Sequence, residues 1–179
     1  MLGLYLFAVA RERRAPANWN ALRTASFAAG VMLLGTALSP PVVAYAHADL
    51  CGHMLQHLML GMFAPLALVL GAPGTLLLRA VPVAVARGLV ALLDTRPLRF
   101  LIHPVTALVL DMGGMYVLYL TPLYLLSTEQ PAIHFLVHLH FILSGYLFTW
   151  AIAGPDPAPR RPGLRLRLTV LFIGTAVHA

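Results

Sequence analysis

Long apolar runs alternate with short polar or arginine-containing segments along the whole chain. Runs of about 20 apolar residues are long enough to cross a bilayer as helices. Helices also satisfy their own backbone hydrogen bonds inside lipid. We therefore predict an all-α, polytopic transmembrane helical bundle that forms a single domain over residues 1–179. The predicted spans are 1–10, 22–44, 53–73, 101–120, 134–153 and 168–179.

The first and last of these six spans are incomplete. Residues 1–10 and the apolar run that stops at Ala179 are both shorter than the roughly 20 residues that a crossing needs. We therefore predict that the chain is a fragment of a longer protein. Residues 80–95 are apolar but short, with Arg87 at the centre, and we predict an interfacial helix there that does not cross. The Pro-rich stretch 154–162 is predicted to be a turn.

Composition and charge support a membrane protein. The chain is 60% hydrophobic and only 10% charged, whereas soluble domains carry about 25% charged residues. All twelve basic residues are arginines, clustered at 11–23, 79–99 and 160–167. Such clusters typically mark cytoplasmic loops and attract the anionic headgroups of membrane lipid. Because the arginines are accounted for in this way, we predict no nucleic-acid binding.

Four histidines form two pairs within the apolar runs, His53/His57 and His134/His138. A four-residue spacing places both rings of a pair on one face of a helix. Because ionisable side chains are costly inside a bilayer, their repetition indicates a function. Hydrogen bonding between helices is the competing explanation. With arginine loops on the cytoplasmic side, both pairs lie near the outer face.

Further candidates surround these pairs. His140 lies about 200° around the helix from His138, and His178 and Asp111 fall near mid-membrane. Asp111 is a candidate proton-relay group, a partner for His178 or a structural carboxyl. The outer loop before the third predicted span adds a histidine and the single cysteine. The candidate metal ligands are therefore His47, Cys51, His53, His57, His134, His138, His140 and His178.

The donor types favour copper as the metal. Imidazoles, one thiol and the nearby thioethers of Met54, Met59 and Met62 suit copper, especially Cu(I), although methionines also pack readily. A bis-histidine haem site, a copper or proton transporter, and a structural scaffold remain alternatives. The HxxxH pairs lack the glutamate of a metalloprotease motif. We predict that the protein is not an enzyme.

Several segments resemble a known family. HMLQHLMLGMFAPLALVLGAP (53–73), HFLVHLHFILSGYLF (134–148) and GPDPAPRRP (154–162) are similar to segments of the CtaG family of cytochrome c oxidase assembly factors, in its polytopic, actinobacterial branch. The resemblance implies a multi-pass protein of the bacterial plasma membrane that helps to mature haem-copper oxidases and handles copper for them. It also implies a haem-copper oxidase subunit and an extracytoplasmic copper donor as partners.

The resemblance also assigns histidines by position. His53, His57, His134, His138 and His178 match the family, and His140 matches in the branch. Many members carry a Trp-His-x-Pro motif on the fourth span, where this chain has Tyr119-Leu120-Thr121-Pro122. The histidine of that motif is therefore absent here.

Overall fold

The computed structural model describes residues 1–12 and 19–178. Ala179, and Arg13 and Arg14 of the first arginine cluster, lie outside the described residues. The described part contains helices and no strand, which confirms the predicted all-α class. The helices are α1 (Leu2–Glu12), α2 (Ala21–Ala37), α3 (Pro40–Ala48), α4 (Leu50–Leu58), α5 (Ala64–Leu70), α6 (Pro73–Ala80), α7 (Val83–Leu93), α8 (Arg96–Leu101), α9 (Pro104–Leu120), α10 (Leu123–Glu129), α11 (Pro131–Ala153) and α12 (Leu164–His178).

Two continuous helices are long and apolar enough to cross a membrane. One is Leu50–Leu70, in which a π-helical turn, Met59–Phe63, joins α4 to α5. The other is α11, with 23 residues. Two bent pairs, α2 with α3 and α9 with α10, raise the number of candidate spans among the described residues to four. These helices have the lengths and composition of a membrane helical bundle.

The bends modify the predicted spans at proline positions. The sequence predicts one span over 22–44, and the structure divides it into α2 and α3, which meet at 56° where Pro40 and Pro41 begin α3. The chain bends by 79° between α9 and α10, next to Pro122. Proline removes a backbone donor and disfavours helix in the residue before it, so a helix usually ends there. The sequence analysis did not predict α10.

Small residues let the two longest helices approach closely. A side chain on Gly145 of α11 would collide with the backbone carbonyl of Gly61 in the π-helical turn. Such glycine contacts are typical of close helix pairs in membranes. The contact lies about one turn from His57 on one helix and two turns from His138 on the other. It therefore sets how closely the two histidine-bearing segments approach.

Helix α7 lies within the segment predicted as an interfacial helix. It has 11 residues, none of them buried, and its length of about 16 Å is half the thickness of a bilayer core. It is followed by the short helix α8. This part of the chain therefore connects α6 to α9 without a helix long enough to cross.

Helix α1 packs against α2 and α6. Tyr5 stacks on Phe27 with 3.9 Å between ring centroids, and its hydroxyl donates to the carbonyl of Gly71 at 2.7 Å. Glu12 at the end of α1 pairs with Arg79 at 3.0 Å. These contacts fix the helix for which the sequence predicts only an incomplete span.

The turn 154–162 is more than the simple connection that the sequence predicts. The carboxylate of Asp156, which is 4% exposed, accepts hydrogen bonds from the backbone N–H groups of Gly74 and Thr75 at 3.0 and 2.6 Å. The Thr75 hydroxyl donates a third bond at 2.7 Å. Arg161 donates to the carbonyls of Gly154 and Asp156. The turn therefore ties the end of α11 to the beginning of α6.

Candidate functional site

Five of the eight histidines gather at one end of the bundle. Helices α3, α4 and α11 supply them, and consecutive rings along the group lie 4.1 to 6.0 Å apart between centroids. We call this group the histidine row. In spatial order its members are His47, His134, His138, His57 and His53.

The rings of each predicted pair contact each other, as the four-residue spacing requires. His134 and His138 have centroids 4.1 Å apart. His53 and His57 are 4.5 Å apart, with 2.8 Å between their Nε2 atoms. The two pairs are closest between His57 and His138, whose ring centroids are 6.0 Å apart. His47, 5.0 Å from His134, extends the row onto α3.

The two ends of the row differ in burial, and half-buried His57 lies between buried His138 and buried His53. His47 is exposed, whereas His138 is 6% and His53 only 1% exposed. Within the described part of the chain, Nε2 of His138 and Nδ1 of His57 are buried and have no hydrogen-bond partner. Such unsatisfied buried nitrogens are uncommon and call for an explanation. A hydrogen-bond partner or a bound ligand would satisfy them.

The row contains pairs of ligands but no preformed site with three. Among residues 1–12 and 19–178, no three His, Cys, Asp or Glu side chains are already placed to hold one metal ion. The 2.8 Å between the Nε2 atoms of His53 and His57 is a hydrogen-bond distance. Two imidazoles on one ion, each about 2.0 Å from it, place their nitrogens roughly 3.3 Å apart. The two nitrogens are therefore closer together than two ligands of one tetrahedral ion would be.

Local features of α3 and α4 position the exposed end of the row. The Asp49 side chain caps α4 by accepting from the N–H of Gly52 at 2.6 Å. A side chain on Gly52 would collide with the backbone of Tyr45, so the glycine lets α3 pack directly on α4. A π-helical turn begins at Met59, two residues after His57, and such turns are frequent at functional sites.

Two tyrosines from the neighbouring helices line the buried end of the row. The ring centroid of Tyr124 lies 5.0 Å from that of His53. The ring centroid of Tyr119 lies 6.2 Å from those of both His53 and His57. The Tyr119 hydroxyl donates to the sulfur of Met54 at 3.0 Å. The sequence analysis did not place either tyrosine in the site. The signal was present, because Tyr119 occupies the aromatic position of the motif that many family members carry on this helix.

The other candidate ligands lie outside the row. Nε2 of His140 is 3.1 Å from the carbonyl of Leu110, on the side of α11 that faces α9. Cys51 is exposed in the first turn of α4. Leu120, where the family motif has its histidine, is 77% exposed. The structure therefore does not bring His140 or Cys51 to the row.

Asp111 and His178 share a cavity with the row. The cavity has a volume of about 330 Å³, and its lining includes His57, Asp111 and His178. Asp111 is 8% exposed and accepts a hydrogen bond from the Ser144 hydroxyl at 3.2 Å. Four thioethers also line the cavity, those of Met54, Met62, Met112 and Met115. His178 thus belongs to the cavity wall and not to the row itself.

Apolar helices of bilayer length and buried imidazoles at one end of the bundle are the features of a polytopic membrane protein with an interior polar site. The sequence profile of the cytochrome c oxidase caa3 assembly factor family, Caa3_CtaG, matches residues 3–179. The chain belongs to this family, which confirms the resemblance seen in the sequence.

Curated relatives come from mycobacteria. An uncharacterized protein of Mycobacterium leprae (strain TN) is 37% identical over 187 residues, which covers 100% of this chain and 28% of that protein. Uncharacterized proteins of Mycobacterium bovis and Mycobacterium tuberculosis are each 37% identical over 182 residues, covering 98% of this chain and 28% of theirs. The chain thus spans 28% of the length of these relatives. No solved structure matches the chain.

Proposed function

We propose that the protein is a non-catalytic, copper-binding factor in the assembly of haem-copper cytochrome c oxidase. The observation that carries the proposal is the histidine row, which runs from exposed His47 to buried His53. Unsatisfied nitrogens on His57 and His138 lie in the middle of it. Membership of an oxidase assembly family supplies the biological setting.

The row suits copper as cargo better than as a resident cofactor. Imidazole binds copper well, and Cu(I) tolerates the low coordination number that a pair of rings offers. Adjacent pairs share a ring, so an ion held by His47 and His134 can pass to His138 and then to His57. Copper would enter from an extracytoplasmic donor and leave to an oxidase subunit. Exchangeable ligands favour such a delivery over tight storage.

The orientation in the membrane follows from where the charges lie. Tyr119, at one end of α9, contacts the row, whereas His103 caps the other end near Arg99. The row and the arginine-rich segments therefore lie at opposite ends of the bundle. The positive-inside rule supports a cytoplasmic position for the arginines, and we therefore propose that the row lies near the outer face of the plasma membrane.

Copper titration of the purified protein tests the proposal. With Cu(I) supplied from a competing chelator, we expect about one equivalent bound, and loss of that equivalent in the double variant His57→Ala/His138→Ala. His103→Asn is the matched control, because it removes an imidazole far from the row and keeps a side chain able to cap α9. Unchanged copper affinity in the double variant would overturn the proposal.

Transport is the second candidate function, and the shared cavity favours it. His57, Asp111 and His178 line one cavity inside the bundle, and ionisable groups inside membranes often mark ion pathways. If the protein carries copper into proteoliposomes and Asp111→Asn abolishes this flux, the function is transport and not delivery to an assembly partner. The absorption spectrum of the same preparation tests the haem alternative, because bound haem gives a Soret band.

A further inference from the structure

A second cavity lies at the end of the bundle opposite the histidine row. Its volume is about 640 Å³, and it is enclosed by α8, the first turn of α9, the end of α11 and the turn 154–162. Segments far apart in the sequence contribute four guanidinium groups to its lining. These arginines are Arg96, Arg99, Arg160 and Arg161.

The positive charge of this cavity is poorly balanced. Among the described residues, Asp94 makes the only ion pairs with these arginines, at 3.9 Å from Nε of Arg99 and 3.6 Å from Nε of Arg160. The nearby carboxylate of Asp156 is already occupied by the start of α6. Burial lowers the pKa of Arg161 and its neighbour Arg167 lowers it further, while Asp156 offsets part of this effect. An anion would relieve this repulsion.

Part of the arginine group is held in place before any ligand binds. Arg161 donates to the backbone carbonyls of Gly154 and Asp156, and its guanidinium lies 5.6 Å from the centre of the Trp150 ring. Arg160 has a backbone φ of 53°, an uncommon conformation for a residue other than glycine. Nε of Arg99 is buried without a hydrogen-bond partner in the part of the chain that the structure describes. The Nε–H group of Arg99 is therefore available to donate a hydrogen bond to a bound anion.

Apolar side chains at the cavity edge indicate the chemical class of the ligand. Phe100 is 68% exposed and Val105 43% exposed, and both line the cavity beside the arginines. Guanidinium groups suit phosphate oxygens geometrically, and basic pockets beside apolar helices bind lipid headgroups. We propose that this cavity binds the phosphate headgroup of an anionic membrane lipid, with the acyl chains running along Phe100 and Val105.

Lipid binding to the purified chain in neutral detergent tests the proposal. Phosphatidylglycerol, phosphatidylcholine and inorganic phosphate are compared by native mass spectrometry and by the shift in Tm. We expect phosphatidylglycerol to bind and raise Tm. The affinity should fall about 25-fold in Arg96→Gln/Arg160→Gln, since each arginine near a lipid surface contributes about fivefold. Phosphatidylcholine and free phosphate should leave Tm unchanged.

The matched control is Arg11→Gln/Arg165→Gln, which removes the same charge from exposed positions outside the cavity lining. Equal losses in both double variants would overturn the proposal, because they would indicate general attraction to negative charge. Stabilisation by inorganic phosphate alone would also overturn it in favour of a free anion. If the cavity double variant fails to fold, Arg96→Gln alone, an exposed position, should still lower the affinity about fivefold. An unchanged affinity in that single variant would count against the site.

Discussion

The carboxylate of Asp156 accepts three hydrogen bonds at the start of α6, and both of its oxygens bind the residue pair Gly74 and Thr75. A carboxylate at a helix N-terminus also interacts favourably with the helix dipole. The residue is nearly buried, so water cannot replace these bonds when the carboxylate is lost. Its role is therefore structural: it joins two segments that the chain order keeps far apart.

Replacing Asp156 by alanine should lower the free energy of unfolding by about 2–3 kcal/mol, because the three donors would lose a charged acceptor. Thermal or denaturant unfolding in detergent measures the change. Glu129→Gln serves as the control, since this exposed carboxylate lies at the end of α10 and its removal should change stability by less than about 0.5 kcal/mol. Equal stability of the two variants would contradict this account of the turn.

Whereas Asp156 stabilises the fold, the two unsatisfied nitrogens of the histidine row lower the free energy of unfolding. A buried donor or acceptor without a partner costs about 1–3 kcal/mol, and the row holds one on His57 and one on His138. A bound ligand would remove that cost. The two unpaired nitrogens, in a row that also carries His53 and His134, are the residue-level support for the proposal that the row binds a ligand.

At the scale of elements, the contact between Gly61 and Gly145 controls the spacing of the row. Because a side chain on Gly145 would collide with the Gly61 carbonyl, Gly145→Ala should push α11 away from the Leu50–Leu70 helix. We expect a loss of about 1–3 kcal/mol in stability and a weaker affinity for Cu(I), since His57 and His138 would separate. Unfolding and copper titration of one preparation measure both effects.

Gly35→Ala is the matched control for this prediction. Gly35 lies in α2 with open space around its Cα, so the same substitution should stabilise the helix by up to about 1 kcal/mol and leave copper binding unchanged. If Gly145→Ala were equally harmless, the close approach of the two helices would not be what sets the geometry of the row.

The elements also show how far the sequence alone could lead. Apolar run length predicted the helices around 53–73 and 134–153, and the four-residue spacing predicted that the rings of each pair would meet. The contact of His47 with His134 depends on the bend at Pro40 and on the packing of α3 against α4, so no local pattern reveals it. The position of Tyr124 beside His53 is equally hidden from the sequence, because it depends on the bend next to Pro122 that turns α10 back toward the row.

At the scale of the whole molecule, two candidate sites occupy opposite ends of the bundle. The 17 residues of α9 separate them, which corresponds to about 25 Å along the helix. The histidine row consists of imidazoles, which bind cations in their neutral form. The second cavity is lined by guanidinium groups, which stay positively charged and bind anions. The two sites therefore favour ligands of opposite charge. Sites this far apart without shared side chains are usually energetically independent.

We therefore expect the affinity for Cu(I) to be the same, within about twofold, in phosphatidylglycerol and in phosphatidylcholine micelles. Substitution of Arg96 and Arg160 should likewise leave copper binding intact, while substitution of His57 and His138 should leave lipid binding intact. Isothermal titration of copper and of lipid into the wild type, the two double variants and their combination gives a complete double-mutant cycle. A coupling above about 1 kcal/mol would mean that α9 or α11 transmits a change between the ends, which would point to a transport cycle in which lipid and copper occupy alternating states of the bundle.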